Sequence, residues 1–217
     1  MKKPSVIAID GLAASGKGTL AKLLAEVLHF HFLPTGNIYR FIAKLVINLN
    51  VNLSNIKKII EVAHTPIKLS DLMDYSLNND KIAEVASKIA TIQEVRETLM
   101  EFQQNFAVTS QPGVVIEGRD IGTIICPNAD IKFFITASLE IRAQRRYQEL
   151  SKTITNISYN NILKSMQERD TRDKNRPISP LIPALDAIVI DNSNLSVEDS
   201  LKYILSFITQ TVKYTNV

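Results

Sequence analysis

Residues Gly11 to Thr19 read G-L-A-A-S-G-K-G-T. They follow the apolar run Val6 to Ile9 and precede Leu20, Leu23, Leu24, Val27 and Leu28, which recur at helical spacing. A glycine, four residues and Gly-Lys, set between a strand and a helix, has odds of about 1% by chance in a chain this poor in glycine. The setting has a physical purpose. Backbone N–H groups and a helix N-terminus converge there on an anion, and the lysine reaches the β- and γ-phosphates of a nucleotide. The loop Gly11, Leu12, Ala13, Ala14, Ser15, Gly16, Lys17, Gly18 and Thr19 is therefore the candidate ATP site. It departs from the usual pattern in one respect. A serine or threonine normally follows the lysine directly; here Gly18 takes that place and the hydroxyl arrives on Thr19.

Only seven glycines occur in 217 residues, against about 15 at average usage. Three lie in this loop, Gly36 lies in "TGNIYR", and Gly118 and Gly122 lie in "EGRDIGT". Glycine is thus concentrated where a backbone must turn sharply or approach a ligand closely. The remaining one, Gly113, sits in a Pro112-Gly113 turn.

Around these motifs the chain alternates apolar runs with helical patterns. Strands are expected at 6–9, 30–33, 114–116, 130–135 and 187–190. Helices are expected at 16–28, 35–48 (capped by Thr35), 54–63 (capped by Ser54), 81–90, 94–107, 138–150, 159–173 and from Ser196 onward. Residues 151–158 read as a polar, mobile connection, and 65–80 as one or two short strands or a plain connection. This alternation predicts an α/β domain with a parallel sheet. The net charge of +3 is too small to imply a nucleic acid or membrane partner. Met1 to Ile9 is too short an apolar start for a signal segment or a membrane span. The single Cys126 suits a reducing compartment, so the expected location is the cytoplasm. His29, His31 and His64 have no catalytic or metal-binding spacing and read as structural. A switch GTPase should carry Asn-Lys-x-Asp and a strand ending in Asp-x-x-Gly, and neither is present.

Three further blocks carry charge. In "TGNIYR" Arg40 reads either as a surface residue or as a clamp on an incoming phosphate. "EGRDIGT" follows a strand end, where open α/β sheets bind ligands; a salt-bridged turn is the alternative. "ERDTRDKNRPISPL", from Glu168, reads on its own as a solvated helix face. Arg142, Arg145 and Arg146 recur at i, i+3 and i+4, which puts them on one helix face, solvated or facing a phosphate.

Taken in order, "IDGLAASGKGTLAKLLAEVL", "TGNIYR", "VASKIA", "VRETL", "VIEGRDIGT", "IKFFITAS", "RAQRRYQEL", "ERDTRDKNR" and "DAIVIDNSNLS" resemble the bacterial cytidylate kinases over nearly the whole chain. The resemblance implies a P-loop three-layer α/β sandwich in one domain, 1–217. Its core would comprise about 1–34, 108–141 and 184–217, with a helical monophosphate-binding region at 35–107 and a lid at 142–183. It implies phosphoryl transfer from ATP to CMP and dCMP by a monomer. Ser87, Arg96 and Asp120 would read the cytosine, and Arg40 and Arg119 would hold the acceptor phosphate. Arg169 and Asp173 would meet the ribose and Arg176 would lie near the phosphates, with Thr35 and Tyr39 as further acceptor-side contacts. Lys17, Arg142, Arg145 and Arg146 would be catalytic, the arginines closing over the transferring group. Mg²⁺ would be held through phosphates and water, with no protein metal cage.

The base chemistry agrees with this assignment. An arginine donating to N3 and O2, with a carboxylate or serine accepting from the N4 amino group, reads cytosine, and uracil reverses N3 and N4 polarity. Two features are unusual for such a chain. The stretch between Arg40 and Ser87 is shorter than in many bacterial members, so a small β-rich insert would be trimmed to 65–80. "SKTITNISY" also lacks a frequent Lys-Gly. Without the resemblance the residues leave open a kinase for UMP, AMP or shikimate, and a nucleotide-binding regulatory module.

Overall fold

The computed structural model describes residues 5–152 and 156–214, and side chains only to residue 208 within the last helix. The start of the chain and residues 153–155 of the expected mobile connection lie outside the described residues. Five parallel strands form one sheet in the order β2-β3-β1-β4-β5. They are β1 (Ser5–Gly11), β2 (His31–Pro34), β3 (Gly113–Gly118), β4 (Ile131–Thr136) and β5 (Ile188–Asp191). β1 is central because it is apolar on both faces, as a strand covered from both sides must be. Alternate residues part to opposite cores. Val6 and Ala8 join Leu33, Ile38, Ile42, Val114 and Ile116 on one face. Ile7 and Ile9 join Leu20, Leu24, Val115, Phe133, Ile135 and Ile204 on the other.

Helices cover both faces, giving the three-layer α/β sandwich expected from the sequence. On one side lie α1 (Lys17–Leu28) and α9 (Val197–Tyr214). On the other lie α2 (Thr35–Asn48), α3 (Ile56–Ala63), the single turn α4 (Leu69–Leu72), α5 (Asp80–Ile89) and α6 (Gln93–Thr109). The helices α7 (Leu139–Leu150) and α8 (Tyr159–Asn175) pack on each other through a small core of their own, Ala143, Leu150, Ile162 and Met166.

Three local expectations are corrected. Residues 65–80 contain no strand; they fold into α4 and a 3₁₀ turn, Tyr75–Leu77. Leu72 and Leu77 are fully buried there. Asp74 accepts from the Ser76 amide at 2.8 Å and from Lys44 at 2.6 Å, a local bond that favours turns over strands. Asn55, not Ser54, caps α3, accepting from the Lys58 amide at 3.1 Å. Thr35 does not cap α2 but begins it, and its hydroxyl donates to the Glu117 carbonyl at 2.8 Å.

Parallel pairing brings the C-terminal ends of β1, β3 and β4 together, with Asp10 opposite both Gly118 and Phe134. Gly11, the last residue of β1, has φ of +149°, and a β-carbon on it would lie 2.0 Å from the Ile135 carbonyl oxygen. Gly36 has nothing within 4 Å of the same position. We therefore expect Gly11→Ala to lose more than about 3 kcal/mol of stability. Gly36→Ala should shift it by less than about 1 kcal/mol. Urea denaturation of the two variants measures both.

Candidate active site

The loop after β1 turns through left-handed conformations at Ala14 (φ 55°) and Gly16 (φ 85°) and opens α1 at Lys17. Lys17 folds back over the loop. Its ammonium donates to the Leu12 carbonyl at 3.2 Å and pairs with Glu117 Oε1 at 3.0 Å. Burial, and then the nearby Arg119 guanidinium, pull the Lys17 pKa down to about 8, against the opposing pull of Glu117. Asp10, at the loop entrance, is buried too, and desolvation pushes its pKa up to about 6. It accepts from the amides of Ile121 and Gly122 at 2.8 and 2.7 Å. These bonds anchor the π-turn Ile121–Ile125 that follows β3. Thr19 is exposed on the first turn of α1. The side of Gly18 faces Glu117, whose Oε2 lies 4.0 Å from where a β-carbon would stand. A carboxylate, not a hydroxyl, therefore neighbours the lysine in this loop. The Ser15 hydroxyl is buried without a hydrogen-bond partner.

All ten acceptor-side residues named from the sequence line a single cavity of about 250 Å³, together with Ala13, Ala14 and Lys17. Five elements and the segment after α8 deliver them. Thr35, Tyr39 and Arg40 come from α2, Ser87 from α5, Arg96 from α6, Arg119 and Asp120 from the end of β3, and Arg169 and Asp173 from α8. Arg96 and Asp120 form a buried ion pair. The Arg96 guanidinium also donates to Ser179 Oγ at 3.2 Å and lies 5.5 Å above the centre of the Tyr39 ring. The Ser87 hydroxyl accepts from Arg172 at 2.9 Å. Asp173 accepts from Arg119 at 3.2 Å.

The cavity carries more positive charge than its carboxylates match. Lys17, Arg40, Arg119 and Arg169 face Glu117 and Asp173. Burial and the neighbouring Arg119 bring the Arg169 pKa down to about 10. Burial, with Arg146 adding to it, also lowers that of Arg40. Arg169 Nε and Arg176 Nη2 are buried without a hydrogen-bond partner. Mutually repelling cations with unused donors are a poor way to stabilise a fold and a good way to hold a polyanion.

The three arginines of α7 do not act as one face. Arg142 is only 2% exposed. It donates to the carbonyls of Ala137 and Ala13 and, in bidentate fashion, to Asp170 at 3.2 and 2.6 Å. That commits it to bracing α7 against the phosphate loop and α8, and its expected closure over the transferring group does not fit this arrangement. Arg145 bonds to Asn192 and the Ser15 carbonyl. Arg146 alone opens onto a second space of about 820 Å³, bounded also by Arg40, Arg169 and Arg172. There it pairs with the exposed carboxylates Asp80 and Glu149.

Four residues with a part in this constellation escape sequence reading. Glu117 opens "EGRDIGT", and Asp170 and Arg172 lie inside "ERDTRDKNR", so each stood within a flagged block. Their partners, Lys17, Arg142 and Ser87, lie far away in sequence. Asn192 stood in the block "DAIVIDNSNLS", just after a strand, with no role assigned to it.

The cytidylate kinase family model matches residues 7–210. The chain belongs to the cytidylate kinase family. Cytidylate kinase of Bartonella tribocorum is 46% identical over 211 residues, covering 97% of each chain. Cytidylate kinase of Rhodospirillum rubrum is 40% identical over 213 residues, covering 97% of this chain and all of its own. Cytidylate kinase of Paramagnetospirillum magneticum is 43% identical over 206 residues, covering 94% and 97%. Among solved structures, an uncharacterized protein from Eubacterium ventriosum has a TM-score of 0.55 at 16% identity, covering 96% of this chain and 99% of its own. That likeness concerns the fold alone.

The Lys17 geometry predicts how this cytidylate kinase family member binds polyphosphate as pH changes. Its folded pKa of about 8 lies below the ordinary lysine value. A bound anion favours the protonated form and moves the pKa back up. Binding above pH 8 must then take up a proton, and affinity must fall as pH rises. Calorimetry of ATP binding in buffers of different ionisation enthalpy should give uptake of about one proton at pH 9 and far less at pH 7.5. Equal uptake at both would contradict the assignment.

Proposed function

We propose that the protein transfers the γ-phosphoryl group of ATP to CMP, and also to dCMP, releasing ADP and the diphosphate. The single observation that carries this reading is the cavity itself. A phosphate loop and its lysine open at one side, arginines only partly matched by Asp173 and Glu117 surround the middle, and a buried Arg96–Asp120 pair with Ser87 stands at the acceptor side. Kinship with cytidylate kinases over 97% of the chain supports CMP as the acceptor.

In this reading Lys17 and the loop amides hold the donor phosphates. Arg40 and Arg119 hold the acceptor phosphate, and Arg169 and Arg176 contribute charge through their unused donors. Arg96 donates to N3 and O2 of cytosine, while Asp120 and Ser87 accept from the N4 amino group. Asp173 and Arg169 meet the sugar. Asp173 already accepts from Arg119, so loss of the 2′-hydroxyl leaves no unpaired carboxylate, which supports dCMP as a second acceptor. Arg146 is the α7 arginine for the transferring group. It borders the open space beside Arg40, and its present partners are exposed carboxylates that phosphate oxygens can displace. Most of the catalysis is alignment, exclusion of water and charge stabilisation.

No three His, Cys, Asp or Glu side chains among the described residues cluster as metal ligands. The carboxylates nearest the loop, Asp10 and Glu117, are engaged with amides and Lys17. The donor set therefore fits Mg²⁺ that arrives on the nucleotide with its waters. When bound, such an ion would supply charge neutralisation for the phosphates that Lys17 and the loop amides hold. No described helix is long and apolar enough to cross a membrane. With the single Cys126 this is consistent with work in the cytoplasm.

ADP release measured with CMP, dCMP, UMP, AMP and shikimate tests the reading. CMP and dCMP should be the best acceptors. Faster turnover with AMP or shikimate overturns the acceptor assignment, and tight ATP binding with no turnover on any acceptor favours a regulatory module. Asp120→Asn should lower the CMP-over-UMP preference by about tenfold or more, because an amide can meet either base edge. It should also destabilise the fold, since Arg96 loses its charge partner. An unchanged preference removes Asp120 from base reading.

A further inference from the structure

Asn192 closes the turn after β5 and is 4% exposed. Its amide Nδ2 donates to the Ser15 carbonyl at 2.8 Å. Its Oδ1 accepts from Arg145 Nη1 at 3.1 Å, and its backbone carbonyl accepts from Arg145 Nη2 at 2.8 Å. Its own amide donates to Thr136 at the end of β4 at 2.9 Å. Ser193 steadies the same turn, accepting from the Ser138 amide at 2.9 Å and donating to Asp191. One buried residue thus joins the sheet through its backbone, and α7 and the phosphate loop through its side chain.

The bond to Ser15 has a geometric consequence. A trans peptide is planar, and its C=O and the following N–H point to opposite sides. Holding the Ser15 oxygen toward Asn192 turns the Gly16 N–H away from it, free to meet an anion. Gly16 adopts φ of 85°. Glycine permits that conformation but does not hold it, because it permits most others as well. The Ser15 amide donates to the Leu12 carbonyl at 3.4 Å and the Gly16 carbonyl accepts from the Leu20 amide at 3.1 Å, but the carbonyl of the Ser15–Gly16 peptide itself is held from outside the loop, by Asn192. Arg145 leans on the same carbonyl at 3.5 Å, so its guanidinium is fixed to the loop rim by the same residue.

We propose that Asn192 is a positioning residue for the donor nucleotide: it locks the Ser15–Gly16 peptide plane and seats Arg145 beside it. The proposal rests on the donor-site reading given above. Asn192→Asp keeps the shape but sets an acceptor against the Ser15 carbonyl and a negative charge near the phosphates. Asn192→Ser keeps a small polar group that is too short to span the gap. It is read in the same way should the aspartate variant not fold. The readout is the ratio of the KM for ATP to the KM for CMP in the full chain. Loss of folded enzyme lowers the apparent kcat and leaves this ratio untouched. We expect the ratio to rise by about tenfold, and a rise of less than about threefold overturns the proposal. The parent chain separates the two levels. If it fails to turn over CMP with ATP, the donor-site reading itself fails. If it turns over and the variant ratio stays put, only the role of Asn192 fails.

Discussion

The parallel pairing of β1 with β3 is the constraint from which the whole site hangs. It sets Ile9 beside Glu117 and Asp10 beside Gly118. The phosphate loop and the Arg119-Asp120 corner therefore leave the sheet side by side. Two interactions cross that seam. Lys17 reaches Glu117, and Asp10 accepts from the amides of Ile121 and Gly122. The first ties the lysine of the phosphate loop to the end of β3. The second fixes the turn that follows Asp120. A slip of one residue in this register would send every side chain of β1 to the wrong core as well as parting the two loops. Packing and site geometry are thus the same requirement.

Electrostatics explains why so much of the chain surrounds one cavity. Buried guanidinium groups repel one another and lose hydration, and both effects show in the lowered pKa of Arg169. Asp173 and Glu117 offset part of this. The remainder is left for a ligand with several negative oxygens. Arg142 shows the contrasting use of the same residue type. With the Asp170 carboxylate and two carbonyls it is fully satisfied, and removing either partner of such a buried pair costs about 3–5 kcal/mol. Three arginines within one helical turn and a half thus serve as a brace, a rim contact and a group facing open space.

The phosphate loop was legible in the sequence because its chemistry is local. Gly11, Gly16 and Lys17 work through backbone shape and a helix start that neighbouring residues dictate. The cavity-lining charged residues were legible as members of charged blocks, and their gathering in one cavity followed from the α/β topology. What escaped was pairing. Glu117 stood in a flagged block, but its partner Lys17 lies 100 residues away. Helical spacing put Arg142, Arg145 and Arg146 together, yet Asp170, Asn192 and Asp80 draw them apart. The stretch 65–80 was unreadable for a different reason. Its turns are set by Asp74 bonding to Ser76 and Lys44 and by burial of Leu72 and Leu77, and none of these has a period.

By itself the sequence determined the α/β class, the phosphate loop, and the charged blocks whose residues line the cavity. Strand hydrophobicity, glycine placement and motif order are properties of neighbouring residues. Only the tertiary structure decided which carboxylate holds Lys17, which arginine is a brace and which faces open space, and that Asn192 grips the loop from the end of the edge strand β5. Those are choices among charge partners brought within a few ångströms by strand register and helix packing. A linear pattern has no means of expressing that distance.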